Sequence, residues 1–200
     1  MASSRRRAPA DSDMRATMIA AAADIIREQG HAALTSRTLA ERLSLKRQIL
    51  HYYFTSVDEL LVLIVRDAHA RAMVAFEKAA RTDDPLHAIW QMVNDQRMSV
   101  LGLELAALAA RRPAVRAEVR ASAEALRALQ TRILVDHLAA KGLTPKIDPE
   151  FATMVIASLA QSLAQEALVG ITAGHDKARA IVEAALGEFS ATGESAFFKA

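Results

Sequence analysis

Apolar residues recur along most of the chain at the three- and four-residue spacing of an α-helix, and no segment alternates as a half-buried strand does. Prolines near the starts of segments and glycines just after their ends mark several helix boundaries. The pattern therefore predicts an all-α protein of about nine helices. The predicted helices cover residues 13–29, 35–43, 46–54, 57–81, 85–98, a segment ending at 111 after a break near 99–102, and then 113–140, 149–169 and 175–189.

The second and third predicted helices are joined by a link of only a few residues. On a helical wheel of residues 46–54, Ile49, Leu50, Tyr53 and Phe54 fall on the side that continues the apolar face of the second helix. The opposite side carries a cation, an amide, an imidazole and a phenol, namely Arg47, Gln48, His51 and Tyr52. Such groups hydrogen-bond to base edges and phosphates in the major groove, and this arrangement of two helices is a helix-turn-helix. The wheel alone leaves open a polar, solvent-facing side of a three-helix unit.

Hydrophobic residues make up 52% of the 200 residues and charged residues 24%, which is the balance of a globular protein with a sizeable core. The chain has no cysteine, which excludes disulfides and thiolate metal sites and is consistent with a reducing cytoplasm. The six histidines are scattered outside any metalloprotease, paired-carboxylate or nucleophile motif. The sequence therefore predicts no enzyme, no metal and no cofactor.

Charge is distributed unevenly along the chain. Through residue 54 there are nine Lys and Arg against five Asp and Glu, whereas the remainder carries 16 against 18. A basic end on a mildly acidic body suggests a nucleic-acid-binding head, although a solvated surface gives the same count. Residues 1–12 are predicted to be a disordered basic arm, in which Arg5, Arg6 and Arg7 either contact DNA or form only a charged tail. No apolar run follows them, so we expect a cytoplasmic rather than a secreted protein.

Gly30 precedes a capping Thr35 by five positions, and residues 38–61 read TLAERLSLKRQILHYYFTSVDELL. This succession of a Thr-capped helix, a turn, a recognition helix ending in Tyr-Phe and a following helix opened by Glu-Leu resembles the TetR-type transcriptional repressors. The resemblance implies a helix-turn-helix DNA-binding domain over residues 13–56 and a ligand-binding and dimerisation domain over residues 57–200. The chain departs from the family pattern where a turn glycine, a small residue, a threonine, a tyrosine and a lysine are replaced by Ser44, Gln48, Ile49, His51 and Val57.

The resemblance also implies which residues contact DNA. Residues that open the second helix and close the third would bind phosphates, and the outer side of the third helix would read base edges. The candidate DNA-binding residues are Thr35, Ser36, Arg37, Lys46, Arg47, Gln48, Ile49, His51, Tyr52 and Tyr53.

One recognition helix reads only a few base pairs, so DNA binding predicts a homodimer that carries two of them about 34–36 Å apart. The helix over residues 149–169 has a stripe of small residues that would allow close approach of a partner helix. Periodicity alone fits burial in the monomer's own core equally well, and the resemblance favours a dimer formed by the last two helices. The candidate interface residues are Val155, Ala157, Leu159, Ala160, Leu163, Ala164, Ala167, Ile181 and Phe189.

A regulator needs an input, and the resemblance implies a small-molecule pocket among the central helices. Residues 90, 94, 97, 101 and 104 would lie on one stripe of a continuous helix, where apolar groups alternate with a few polar ones. The alternative is that the polar members of the stripe face water and that the other candidates are structural. The candidate effector-pocket residues are Trp90, Asn94, Arg97, Leu101, Glu104, Gln130, His137, Met154 and Gln161.

The sequence thus predicts a homodimeric, ligand-responsive transcriptional regulator, most simply a repressor that binds a palindromic double-stranded DNA operator and is released by a small-molecule effector. The long helix over residues 57–81 would be the lever that joins head and body. The competing hypothesis is a helical dimer that binds a small molecule or a protein without binding DNA. A third version binds DNA but lacks a ligand.

Overall fold

The computed structural model describes the backbone of residues 9–94 and 96–195, and the side chains of residues 11–94 and 100–195. Within this part of the chain every regular element is helical, as predicted. In chain order the elements are α1 (Pro9–Gln29), a 3-10 turn (His31–Ala33), α2 (Ser36–Arg42), α3 (Arg47–Tyr53), α4 (Val57–Ala79), α5 (Pro85–Val93), α6 (Gln96–Ala109), α7 (Pro113–Ala140), α8 (Pro149–Leu168) and α9 (His175–Thr192).

The described residues form two compact units. Unit 1 contains the described residues up to Ala68 together with Leu103–Val119, and unit 2 contains the described residues of His69–Gly102 and those from Arg120 onward. This division differs from the predicted boundary after residue 56, because the first half of α4 and the corner between α6 and α7 belong with α1–α3. Helices α4, α6 and α7 therefore each contribute residues to both units.

Ion pairs hold the later segments of unit 1 to the first half of α4. Arg112 donates to Asp58, and Arg66 lies 2.8 Å from Glu118. The Glu118 carboxylate, by hydrogen bond and by charge, raises the pKa of Arg66, although that guanidinium remains largely exposed. A sequence pattern of local helix signals does not report such pairs, because their members lie more than fifty residues apart.

The core of unit 1 is assembled on the apolar face of α1. Met18, Ile25 and Ile26 are fully buried, and they are joined in the core by Leu39 of α2 and Leu50 of α3. Helix α1 packs on α2, and α2 packs on α3. The three- and four-residue spacing of these apolar positions is what brings them to one side of each helix.

The turn between α2 and α3 is preceded by a well-capped helix start. Thr35 accepts a hydrogen bond from the Thr38 N–H, and the Thr38 hydroxyl accepts one from the Thr35 N–H at 3.0 Å. This reciprocal pair satisfies two of the N–H groups that a helix start leaves free. After α2 the chain reverses at Ser44, the one non-glycine residue with a positive φ (54°) in the described chain.

The start of α4 is held by a carboxylate that serves several donors. Ser56 accepts a hydrogen bond from the Glu59 N–H at 3.1 Å, and the Glu59 carboxylate accepts from both the N–H and the hydroxyl of Thr55 at 2.8 Å. Arg15 of α1 donates to the same carboxylate at 3.0 Å and lies over the ring of Phe54. These hydrogen bonds, chiefly the one from the Thr55 backbone, lower the pKa of Glu59.

Unit 2 has a core formed mainly by α5, α7, α8 and α9, with α5 packed on both α8 and α9. A smaller cluster joins α4 to α7 through Phe76, Leu129 and Ile133. The main core consists of Leu86, Trp90, Leu134, Leu138, Ala152, Ala160, Leu163, Val182, Leu186 and Phe189.

Two helix boundaries differ from the predicted ones. Helix α1 begins at Pro9, four residues before the predicted start, so part of the predicted arm is helical. Helix α5 ends at Val93 rather than near residue 98, because Asn94 closes it with its backbone N–H and its side-chain amide both donating to the Trp90 carbonyl. The break in the central helices therefore lies near residue 94 and not at 99–102.

No single helix in the described segments combines the length and the apolarity that a membrane span requires. Only α3 and α4 taken together, with a bend of 67° between them, pass both criteria.

We expect Ser44→Gly to raise the free energy of unfolding by about 0.5–1 kcal/mol, because a left-handed backbone strains a residue with a Cβ but not glycine, and the greater unfolded-state freedom of glycine offsets part of the gain. Urea denaturation would measure the shift in midpoint. Ser44→Ala keeps the Cβ and serves as the control. A Ser44→Gly protein less stable than the wild type would contradict the assigned turn conformation.

We expect Glu59→Gln to lower the urea midpoint at pH 7 and to have progressively less effect as the pH falls below about 4. The folded-state pKa of Glu59 is depressed, so its contribution is present above the unfolded-state pKa of about 4.3 and is lost as the pH falls through the folded-state value. Glu77→Gln, an exposed carboxylate on the same helix, is the matched control. A deficit in Glu59→Gln that persists undiminished at about pH 3 would show that the charge is not responsible.

Candidate DNA-binding interface

Helix α3 presents a continuous polar side at the surface of unit 1. The side chains of Arg47, Gln48, His51 and Tyr52 are all exposed, and Tyr52 retains 71% of its accessible surface. Leu50 and Phe54, on the opposite side, are buried. A helix whose apolar side is buried in the core must turn its other side outward, so the packing of Leu50 and Phe54 sets the direction of the polar row.

An aromatic contact orients the most exposed member of this row. The ring of Tyr52 meets the ring of Tyr53 edge-to-face, with centroids 5.1 Å apart and an interplanar angle of 89°. Tyr53 is itself buried, with 8% of its surface exposed. Edge-to-face pairs of this kind are favourable, so the buried ring holds the exposed one in place.

Two predicted DNA-binding residues, Ile49 and Tyr53, do not belong to the exposed polar row of α3. Ile49 was placed by the helical wheel on the apolar side, yet 36% of its surface is exposed at the margin of α3. Tyr53 points into unit 1, where its hydroxyl donates to the Asp11 carboxylate at 3.0 Å. The predicted phosphate contact requires the Tyr53 hydroxyl to donate its hydrogen to a phosphate. In the structure that hydrogen is donated to an acidic side chain of α1 instead.

The cations near α3 differ in how they are neutralised. Arg37 pairs with Glu41 at 2.8 Å, and the hydrogen bond to that carboxylate raises the pKa of Arg37. Lys46 and Arg47 are exposed and have no ion-pair partner among the residues that the structure describes. Exposed, uncompensated cations beside hydrogen-bonding side chains form a surface that attracts phosphate groups.

A cleft of about 200 Å³ opens beside this row in unit 1. Hydroxyls at the starts of α2 and α4 line it, from Thr35, Ser36, Thr55 and Ser56, together with His51 at the end of α3. Hydroxyl and N–H groups at helix starts are suited to hydrogen-bond anionic oxygens. The rest of the lining is apolar and includes Leu34, Leu39 and Leu60, and the Thr55 hydroxyl and N–H already donate to Glu59.

Sequence reasoning missed Asp11, Thr55 and Ser56 in this region. Asp11 was assigned to the disordered arm, although an acidic residue in the first turn of a helix was a signal for an earlier start of α1. Thr55 and Ser56 directly precede α4, and the cleft that they line becomes visible only when α2 and α4 are brought together. Arg5, Arg6 and Arg7 lie outside the described residues.

The predicted effector-pocket residues do not converge on one cavity. Trp90 and Leu101 are buried, and the side-chain amide oxygen of Asn94 is buried without a hydrogen-bond partner in the described part of the chain. The side chain of Arg97 lies outside the described residues. Glu104 belongs to unit 1, where it binds His31. The break at residue 94 disrupts the continuous stripe on which the prediction rested.

The remaining predicted pocket residues, all in unit 2, are also dispersed. His137 contacts the Ser190 hydroxyl at 2.7 Å, and burial followed by the positive charge of Lys141 lowers the pKa of His137. Met154 and Gln161 are exposed on α8. Only Gln130 lines the apolar cavity of this unit.

The predicted dimer residues divide into a buried and a more exposed set. Ala160, Leu163, Ala164 and Phe189 are buried in the core of unit 2, which leaves them no surface for a partner. Val155, Ala157, Leu159 and Ala167 are half-buried, and Ile181 is exposed. Other exposed apolar residues of α8, which the prediction did not include, are Phe151, Met154 and Leu168.

Residues 18–64 match the family model described as bacterial regulatory proteins of the tetR family. This segment comprises most of α1, the helix-turn-helix and the start of α4. No curated protein sequence is significantly similar to the chain.

Solved structures of transcriptional regulators have the same fold. A TetR transcription regulator from Haloarcula marismortui is 21% identical with a TM-score of 0.66, over 79% of this chain and 87% of that one. GusR of Salmonella enterica is 17% identical with a TM-score of 0.66, over 88% and 90%. A protein from Saccharomonospora viridis assigned as a transcriptional regulator, solved in complex with choline, is 15% identical with a TM-score of 0.69, over 92% and 98%. Residues 18–64 are therefore the helix-turn-helix DNA-binding domain of the tetR family, and the chain as a whole has the fold of that family's transcriptional regulators.

Proposed function

We propose that the protein is a cytoplasmic, homodimeric transcriptional regulator that binds a palindromic DNA operator and is released from it by a small-molecule effector. The observation that carries the proposal is the exposed row of Arg47, Gln48, His51 and Tyr52 on the second helix of a tetR-family helix-turn-helix. Blocking polymerase is the simplest consequence of such binding, so we propose a repressor. No catalytic role is proposed for any residue.

The chemistry of the row supports sequence reading in the major groove. Arg47 can pair bidentately with guanine and Gln48 with adenine, whereas His51 and Tyr52 can contact either a base edge or a phosphate. Thr35 and Ser36, in the cleft beside the row, would bind backbone phosphates and set the position of α3. Lys46 would add attraction that does not depend on sequence, and Arg37 would do so once it leaves its ion pair with Glu41.

Dimerisation is required for useful specificity, and the exposed sides of α8 and α9 support it. Phe151, Met154 and Leu168 expose apolar surface on α8, and Ile181 does so on α9. Beside Ile181, α9 also exposes Ala180, Ala184, Gly187 and Ala191, small residues that permit close approach of a second helix. A second copy of the chain is the partner we propose for this surface, because it would supply the second recognition helix.

An effector must bias the position of the recognition helix, and unit 1 contains a contact suited to transmit such a change. Glu104 of α6 accepts a hydrogen bond from the His31 N–H at 2.9 Å and also contacts the His31 ring, and the backbone hydrogen bond lowers the pKa of Glu104. His31 follows α1 directly, and α6 also contributes residues to unit 2. Together with the predicted lever α4, this pair gives α6 a connection to the DNA-binding domain. The choline complex of the S. viridis protein supports ligand binding by this fold.

Selection of bound sequences from random double-stranded DNA tests the proposal directly. We expect enrichment of an inverted repeat whose half-sites lie about one helical turn, or a multiple of it, apart.

Arg47→Ala should weaken operator binding by about 1–3 kcal/mol and relax the preference at one position of each half-site. Arg71→Ala, on α4 and remote from the row in sequence, is the control. A chain that enriches no sequence, while forming a dimer, would support the helical module without DNA binding instead.

We expect Asp11→Asn to tighten DNA binding about two- to fivefold, because the Tyr53 hydroxyl would no longer be held by a carboxylate and one negative charge near the phosphates would be removed. Titration of an operator fragment at two salt concentrations would measure the effect. Asp13→Asn removes the same charge from an exposed position on α1 and is the matched control. Equal effects of the two substitutions would mean that the contact with Tyr53 has no influence on DNA binding.

A further inference from the structure

Unit 2 contains an apolar, partly open cavity that none of the preceding contacts uses. It lies among α5, α7, α8 and α9, and its volume is about 50 Å³. Leu86, Leu134, Ile156 and Phe189 are among the side chains that line it. A cavity with such walls is favourable for an apolar group and unfavourable for water.

The charge of the lining restricts what can enter. No Asp, Glu, Lys, Arg or His is among the described residues that line the cavity. An ion placed there would lose its hydration without gaining a counter-charge, which is costly in an apolar environment. The occupant must therefore be uncharged, at least over the part that enters.

Two polar side chains reach the lining, and only one of them is available. The Thr153 hydroxyl donates to the carbonyl of Pro149 at 3.0 Å and lies 3.0 Å from the Thr131 hydroxyl. Gln130 is half-buried and has no hydrogen-bond partner among the residues that the structure describes. An amide can both donate and accept, so Gln130 would pair with a hydroxyl, a carbonyl or an amide of a ligand.

The volume sets the size of the apolar part. One water-sized group occupies roughly 10–15 Å³ on this measure, so the cavity has room for about four groups of that size. A short alkyl chain or the edge of a ring would fill it. We propose that this cavity binds the short apolar end of a neutral amphiphile, whose single hydrogen-bonding group pairs with Gln130. The inference rests on the proposed effector response and names the chemical class of the effector.

A reporter for occupancy is already present in the same core. Trp90 is the single tryptophan of the chain, is buried, and packs in one cluster with Leu86, Leu134 and Phe189 of the cavity wall. A ligand that displaces or tightens these side chains should therefore change the fluorescence of Trp90.

The full-length protein would be titrated with butan-1-ol, pentan-1-ol and hexan-1-ol while Trp90 fluorescence and the thermal midpoint are recorded. Butylammonium and butyrate provide the charged counterparts. We expect a saturable fluorescence change and a raised midpoint with the alcohols, and binding at least about tenfold weaker for both ions because of their desolvation. A linear, non-saturating response to the alcohols, or equal binding of the ions, would overturn the proposal.

Two substitutions test the location of the site. Ala157→Leu would fill the cavity and should abolish saturable binding, whereas Ala139→Leu, the same change at an exposed position of α7, should leave it intact. Gln130→Leu should weaken alcohol binding about tenfold, because the hydroxyl loses its partner, and it tests the site independently if Ala157→Leu does not fold. Unchanged alcohol binding in Gln130→Leu and in folded Ala157→Leu would exclude this cavity.

Operator retention measured on the same samples separates this inference from the proposed function. If the protein enriches an inverted repeat but shows no saturable alcohol binding, only the proposed ligand class is refuted. If the protein binds the alcohols but enriches no DNA, the cavity site stands and the proposed regulator function is refuted. Release of the operator by hexan-1-ol in the wild type, but not in Ala157→Leu, would support both.

Discussion

The burial of Leu50 and Phe54 in unit 1 is the constraint on which the candidate DNA-binding surface depends. Both belong to α3 or to its cap, and they meet the core formed by α1 and α2. Because an α-helix turns once in 3.6 residues, fixing these two positions fixes the direction of every other side chain on α3. The polar row that includes Arg47 and His51 is therefore a consequence of apolar packing and needs no further interaction to be exposed.

Carboxylates in unit 1 are used to hold elements together rather than to neutralise the recognition helix. Glu59 ties the start of α4 to Thr55 and Arg15, and Glu104 ties α6 to His31. Neither of these acids pairs with Lys46 or Arg47, which are left without an ion-pair partner in the described residues. The same distribution of charge stabilises the unit and leaves the cations at the start of α3 uncompensated.

In unit 2, helix α8 is apolar on several sides, and these sides lie in different environments. Ala160 and Leu163 of α8 are buried, whereas Met154 on the same helix is exposed. The half-buried Ala157 and Ile156 line the cavity between these two environments. Under the proposed function, one helix would therefore serve the core, a ligand and a second copy of the chain, because each needs only one side of it.

The sequence by itself determined the helical fold, the location of the helix-turn-helix and the outward row of α3, because these follow from periodicity and capping within short segments. Tertiary structure alone decided that Tyr53 meets Asp11 and that Glu104 meets His31, since these partners are distant in the chain. It also decided which side of α8 is buried, because a wheel with apolar residues on most sides, such as Phe151 and Leu163, does not say which side the neighbouring helices will cover. The cavity beside Gln130 could not be predicted for the same reason: it is a space left between four helices, and its shape is set by how they pack.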